Sequence, residues 1–298
     1  MKRAAMIDAG LRERVLRALR DAGLVDVPGA PAAAVDLTPL GGGLRPRSVL
    51  AAVSGRRFVV RVSDDPRAGA LELPVEASVT DEAAALGIAP PVVAADARGG
   101  ALITEYLSRA RPLTAEALAA PQNVVRVARL LKRLHSIRRP LRKYDPEALA
   151  DAYTRGLGAL GAEDRRRAAE LRELARAYAA RYPSHVLCHN DLIASNVLDD
   201  GELKLVDFEY AVTAAPVLDL AGVAALNHFD DDGWQLANAY YGASPVPFTP
   251  RELRRVVRLV RLVAYFWALS SSVRAGDRGP YAAFAARAAA ALDETKRS

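Results

Sequence analysis

His189-Asn190-Asp191-Leu192-Ile193-Ala194-Ser195-Asn196 is followed eleven residues later by Asp207-Phe208-Glu209, and the segment between the two strings says how they meet. Asn196-Val197-Leu198 and Leu203-Lys204-Leu205-Val206-Asp207 read as two short strands around Asp199-Asp200-Gly201-Glu202. The Asp-Gly step favours a tight hairpin, because glycine accepts positive φ. Closing that hairpin brings Asn196 and Asp207 together at its open end. An amide and a carboxylate there, with ATP phosphates and water, are enough to hold Mg²⁺, which takes oxygen ligands. Asp191 is left to orient an acceptor hydroxyl and take its proton. The set is what ATP-dependent phosphoryl transfer needs.

Outward from this stretch, bulk properties narrow the classes. A chain of 298 residues, 51% hydrophobic, can bury one large core or two modest ones. The single Cys188 excludes an intramolecular disulfide framework and a multi-cysteine metal site, and its apolar flanks make it a buried structural thiol. The N-terminus carries no apolar run long enough for a signal peptide, and Leu262 to Val273 is too short to span a bilayer. The chain is therefore expected to be soluble and cytoplasmic, without membrane insertion. The net charge of +6 rests on arginines, since only five of the 41 basic residues are lysines. They scatter along amphipathic helices rather than alternating with aromatics, which argues against a nucleic-acid surface.

The order of elements is the next clue. A helix over Leu11–Leu19 precedes β-rich runs at Ser48–Val53 and Arg57–Val62, joined by Ser54-Gly55. A helix over Leu73–Leu86 ends at Gly87, and strands at Pro91–Ala95 and Ala101–Glu105 follow. After Tyr106 the pattern turns helical: Pro121–Leu134, Glu147–Leu157, Ala162–Tyr182, Val217–Asn227, Gly233–Tyr241, and helices opening at Pro250 and Pro280. Thr249, Pro250 and Glu252 form a capping-box signature. The expectation is an α+β, bilobal, protein-kinase-like fold. Residues 1–105 form a small β-rich ATP-binding lobe and residues 106–298 a larger, mainly helical lobe. Ile103 to Leu107, with Glu105 and Leu107, connects them beside the adenine.

A phosphate-binding side must accompany the metal side. Gly41-Gly42-Gly43 before the first hairpin would let backbone N–H groups approach phosphate oxygens. A cation is also needed on the third strand. Apart from Lys2, no lysine precedes Lys132, so that cation is an arginine, and Arg61 in Phe58-Val59-Val60-Arg61-Val62 is the candidate. Glu76 is the helical carboxylate expected to orient it, with Glu82 as the rival.

These strings resemble the choline/ethanolamine kinase branch of the aminoglycoside-phosphotransferase-like superfamily. The resemblance rests on Cys188-His189-Asn190-Asp191 through Asn196 and on Leu205-Val206-Asp207-Phe208-Glu209-Tyr210. Further matches are Gly42-Gly43-Leu44, Val60-Arg61, Glu76 with Gly87-Ile88-Ala89-Pro90, and Leu131-Lys132-Arg133-Leu134-His135. Leu218-Asp219-Leu220-Ala221 and Tyr265-Phe266-Trp267-Ala268-Leu269 complete a span of residues 38 to 285. The resemblance implies ATP and Mg²⁺ as cofactors, Asp191 as base, Asn196 and Asp207 as metal ligands and Arg61 as phosphate contact. It also implies that Asp219, with His189 of the motif, braces the catalytic loop. One departure stands out: Arg45-Pro46 replaces the family's Thr or Ser and then Asn after Gly-Gly-Leu. Proline removes a backbone N–H, so Arg45 or Arg47 compensates or ATP is held less tightly.

For the acceptor, ten of the 18 aromatic residues fall between Phe229 and Phe284. A quaternary ammonium group, unable to donate hydrogen bonds, is held by aromatic faces. Glu209, Tyr210, Trp267 and Tyr281 are the candidate contacts to a cationic small-molecule acceptor. The first reading is a kinase for choline, ethanolamine or a related amino alcohol. The second is an antibiotic phosphotransferase of aminoglycoside type, with thiamine kinase as a cousin of the first; the third is a non-catalytic nucleotide-binding relative.

Overall fold

A computed structural model describes residues 7–25, 35–41, 48–63, 66–96, 99–158, 160–276 and 279–294. The chain divides into two compact units, Met1–Pro112 with Ser195–Glu209, and Leu113–Ala194 with Tyr210–Ser298. The sequence reading divides it once, after Glu105.

The first unit is built on a five-stranded antiparallel sheet of β1 (Val35–Pro39), β2 (Ser48–Val53), β3 (Arg56–Val62), β4 (Val92–Asp96) and β5 (Ala101–Glu105), in the order β1-β2-β3-β5-β4. Strand side chains alternate between faces. Phe58, Val60 and Val62 are buried with Val49, Ala51 and Ile103 against Val15 and Leu19 of α1 (Ala9–Asp21). That alternation sends Arg61 to the other face, where its cross-strand partner Leu102 packs with Leu73 and Ala77 of α2 (Pro66–Ala85). Helix α2 starts earlier than the apolar pattern indicates and runs through Pro74. An interior proline costs about 3 kcal/mol, and burial of Leu73, Ala77, Val79 and Ala83 offsets it.

The hairpin after the motif forms as expected. Strands β8 (Val197–Asp199) and β9 (Leu203–Leu205) pair with Val197 opposite Leu205, and Gly201 takes φ 107° in the turn. It belongs to the first unit: β6 (Arg111–Pro112) pairs with β8, and Leu205 N–H donates to the Ile88 carbonyl at 2.7 Å.

The second unit is helical, with α3 (Ala115–Ala119), α4 (Pro121–His135), α5 (Pro146–Thr154), α6 (Ala162–Arg181), α7 (Val217–Leu226), α8 (Trp234–Tyr241), α9 (Pro250–Ala275) and α10 (Pro280–Glu294). A two-stranded ribbon of β7 (Val186–Cys188) and β10 (Val212–Ala214) brackets residues 189–211 in the chain. Helix α7 is buried on every side from Val217 to Ala225, which makes it an interior helix. Thr249 and Glu252 close the capping box at the start of α9. Pro250–Arg274 is long and apolar enough to cross a membrane by length and composition, and 56% of its apolar window is buried inside the protein. The apolar run is thus longer than the span from Leu262 to Val273 indicates, because Leu253, Val256, Val257 and Leu259 extend its buried face.

Candidate active site

The candidate residues fall on both units, and each set has its own architecture. In the second unit, His189, Asn190 and Asp191 follow directly on β7. Asp219, in the first turn of α7 and wholly buried, accepts hydrogen bonds from the backbone N–H of His189 and of Asn190, each at 2.9 Å. His135 of α4 reaches the same carboxylate through Nε2 at 3.1 Å, and its Nδ1 lies 2.9 Å from the Tyr240 hydroxyl. Burial alone would raise the Asp219 pKa. The His135 hydrogen bond and charge, the Asn190 N–H and nearby His189 outweigh it and hold the carboxyl below its ordinary value. Asp219 is thus an ionised anchor beneath the loop.

The loop above the anchor is locally committed. Asn190 takes φ 65°, a left-handed conformation that asparagine tolerates better than most residues, and its Nδ2 donates to the Tyr210 carbonyl at 3.3 Å. The Asp191 N–H donates to His189 Nδ1 at 3.3 Å, and the Asp191 side chain is half-buried. Cys188 is buried beside this network, and burial, followed by the Asp219 charge, raises its pKa well above the ordinary range. It is a structural thiol rather than a nucleophile.

One anchor has no counterpart in the sequence reading. Asn227, just past α7, accepts from the Ala194 N–H at 2.7 Å and donates to the carbonyls of Leu192 at 2.8 Å and Val223 at 2.7 Å. Its partners are backbone groups, which carry no side-chain signature. Only the fold brings them together.

In the first unit, the hairpin register puts Asn196 opposite Val206, whose N–H donates to the Asn196 carbonyl at 3.1 Å. Asp207 is the next residue, at φ 68°. Asn196 is buried, and Asp207 Oδ1 is buried without a hydrogen-bond partner among the described residues. Its recorded ion-pair contact is Arg61 Nη1 at 3.8 Å. A buried carboxylate oxygen left this way fits a cation ligand, and Asn196, paired with the residue before Asp207, carries an amide oxygen of the kind Mg²⁺ accepts.

Arg61 sits on the same unit and is the hub of its charges. One guanidinium nitrogen binds the Glu76 carboxylate, and Nη1 lies 3.2 Å from Glu209. Glu76 is 4% exposed and Arg61 14%, so Glu76 rather than Glu82 is the buried helical partner. Glu209, assigned in the sequence reading to the acceptor, is engaged here by Arg61. Glu105 ends β5 on the surface, and Leu107 is half-buried. Gly42, Gly43 and Arg45 lie outside the described residues.

The aromatic residues divide into two groups. Phe229, Tyr240, Phe248, Tyr265 and Phe266 are buried core, and Tyr265 donates to Asp164 at 2.6 Å. Trp267 is half-buried and packs edge-on against Tyr281 at 5.7 Å and Phe284 at 5.9 Å between centroids. Tyr210 is half-buried on the same unit. Among the three acidic residues at 230–232, Asp231 accepts from the Gly233 and Gln235 N–H groups at the start of α8.

A family model described as "Phosphotransferase enzyme family" matches residues 36–256. No curated protein sequence matches the chain. Among solved structures, choline kinase LicA from Streptococcus pneumoniae superposes with a TM-score of 0.75 at 18% identity, covering 94% of this chain and 98% of that one. A complex of LicA with AMP gives a TM-score of 0.72 at 16% identity, covering 94% of this chain and 97% of that one. A choline/ethanolamine kinase family protein from Mesorhizobium loti gives 0.71 at 23% identity, covering 94% of each chain. The GDP and kanamycin complex of APH(2")-IIia gives 0.65 at 16%, covering 97% of this chain and 99% of that one. At these identities the likeness shows the fold, which is the α+β protein-kinase-like one, with a small antiparallel sheet and a helical C-terminal part.

Proposed function

Because this chain belongs to the phosphotransferase enzyme family, we propose that it transfers the γ-phosphate of ATP to a hydroxyl of choline, ethanolamine or a related amino alcohol. Two observations support the phosphoryl-transfer part, one in each unit: the Asp191 loop is braced by Asp219, and an Asp207 oxygen is buried without a hydrogen-bond partner among the described residues. Asp191 accepts the proton of the attacking hydroxyl as its oxygen bonds to the γ-phosphorus and the bond from that phosphorus to the β–γ bridging oxygen breaks, releasing ADP. Asn196 and Asp207 would hold Mg²⁺, which neutralises phosphate charge when bound. Arg61, oriented by Glu76, meets the phosphates as a planar fork rather than a point charge. Gly42, Gly43 and Arg45 belong to the same proposal as the phosphate loop, and Glu105 with Leu107 as the adenine edge.

The acceptor class is supported by the half-buried Trp267, Tyr281 and Phe284 group, with Tyr210. Aromatic faces suit a cation that has no N–H to donate, and each such contact contributes about 0.5–2 kcal/mol. Glu209 stays in the proposal as a carboxylate that the ammonium group shares with Arg61. The resemblance in fold to both choline and aminoglycoside enzymes makes the antibiotic acceptor the reading to test against.

The deciding experiment is ADP release with Mg²⁺-ATP across choline, ethanolamine, thiamine, several aminoglycosides and no acceptor, with Asp191→Asn as the blank. Saturable turnover with a small amino alcohol, lost in Asp191→Asn, is the expected result. Turnover with an aminoglycoside alone would replace the acceptor assignment, and more than a few per cent activity in Asp191→Asn would remove the base assignment.

A further inference from the structure

We infer that Asn227 is a positioning residue for the catalytic loop, the second of two clamps that α7 places on either side of Asp191. Asp219 and Asn227 stand eight positions apart, about 12 Å at the helical rise of 1.5 Å per residue. Asp219 holds the loop immediately before Asp191 by the N–H groups of His189 and Asn190. Asn227 holds it immediately after, by the Leu192 carbonyl and the Ala194 N–H. Asp191 is the residue suspended between the two.

The chemistry of the second clamp selects asparagine. The side chain must present one acceptor to Ala194 and two donors, one to the loop at Leu192 and one to the helix at Val223. A primary amide has that complement. It is 4% exposed, so each bond forms away from competing water. The Val223 bond also satisfies a carbonyl that the helix end leaves open, which ties the loop to α7, buried from Val217 to Ala225, rather than to a surface side chain. Aspartate has the same shape and acceptor but no donors when ionised, so it would leave the Leu192 and Val223 carbonyls unsatisfied and bury a charge. Histidine, serine and threonine each lack one of the three functions. Loss of the clamp frees the loop on one side of Asp191, and misplacement of a catalytic group by about 1 Å costs on the order of 100-fold in rate.

This inference rests on the reading of Asp191 as the proton acceptor, and the experiment separates the two. Asn227→Asp and Asn227→Ala are compared with wild type and Asp191→Asn for ADP release with Mg²⁺-ATP and choline, for release with water as the acceptor, and for binding of a fluorescent ATP analogue. The expected result is a fall in kcat of roughly 10- to 100-fold with ATP affinity within about twofold. The Asn227→Asp defect relative to wild type should shrink from about pH 8 to about pH 6, because a buried carboxyl has a raised pKa and its protonated form regains one donor. A general loss of structure would not give that pH-dependent recovery. Amide hydrogen exchange supplies the readout independent of turnover: Ala194 should lose protection in both variants while residues of α4 keep theirs. Wild-type kcat, or unchanged Ala194 protection, overturns the assignment. Activity in Asp191→Asn would instead overturn the base reading, leaving Asn227 to be judged by exchange alone.

Discussion

Replacing Asp219 by asparagine keeps the shape of the side chain and removes one acceptor. In the native chain both carboxylate oxygens are used, by the N–H groups of His189 and Asn190 at 2.9 Å each and by His135 Nε2 at 3.1 Å, with no exposure to solvent. An amide can serve one backbone N–H with its oxygen, but its NH₂ then faces the other N–H, donor to donor. An unpaired buried donor costs about 1–3 kcal/mol, and a lost bond to a charged acceptor about 1.5–3 kcal/mol. The two together predict destabilisation of about 2.5–6 kcal/mol, which brackets the roughly 3–5 kcal/mol for breaking a buried ionic contact. Urea unfolding followed by far-ultraviolet circular dichroism measures it as a lowered midpoint at unchanged slope, and turnover should fall with it as the Asn190-Asp191 backbone loses its brace. The pH dependence has a definite sign. Because the Asp219 carboxyl is held below its unfolded value of about 3.9, its contribution is complete above that pH and disappears as pH falls through the lower folded value. The gap between wild type and variant should therefore persist across neutral pH and narrow in strong acid. A midpoint shift worth less than about 1 kcal/mol with wild-type turnover would refute the bracing argument.

Other perturbations test the first unit and the aromatic group. Asp207→Ala should weaken Mg²⁺-dependent ATP binding by at least about tenfold while sparing metal-free nucleotide binding; equal affinity in titration calorimetry would remove Asp207 from the metal site. Arg61→Lys keeps the charge but cannot hold Glu76 and Glu209 with separate nitrogens, so KM for ATP should rise and kcat should fall. Wild-type kinetics would count against that fork. Trp267→Ala should raise KM for choline about five- to thirtyfold, the equivalent of about 1–2 kcal/mol, without changing KM for ATP. An unchanged choline KM would assign Trp267 to packing with Tyr281 and Phe284.

The parts of this molecule that could be read in advance are those in which neighbouring residues determine one another. Asp200-Gly201 sets the hairpin, the hairpin sets the register, and the register puts Asn196 opposite Val206, one residue before Asp207. The capping box at Thr249 and Glu252 is equally local. Arg61 was legible for a different reason, the absence of any lysine between Lys2 and Lys132, while Glu76 was preferred with Glu82 as a rival that only burial decided against. Strands β1, β6, β7 and β10 were not foreseen, because runs of two to five residues become strands only when a partner from elsewhere pairs with them. The early start of α2 was hidden by Pro74, a local signal that side-chain burial overrode. Glu209 shows the limit for charged groups, since the sequence marks a carboxylate near the motif but not the cation that engages it.

The interleaved membership of the two units has a consequence for how this protein can be taken apart. The chain leaves the first unit after Pro112, returns at Ser195 and leaves again after Glu209. A fragment ending at Pro112 would lack the strand that pairs with β6 and the donor that satisfies the Ile88 carbonyl. The complementary fragment would carry an orphan hairpin with no sheet to join. A single crossover in recombination, or a single cut in cloning, therefore yields two damaged halves rather than two exchangeable modules. Exchanging the first unit between relatives demands a graft with two junctions and an insert, and the segment from Ser195 to Glu209 must travel with the N-terminal part.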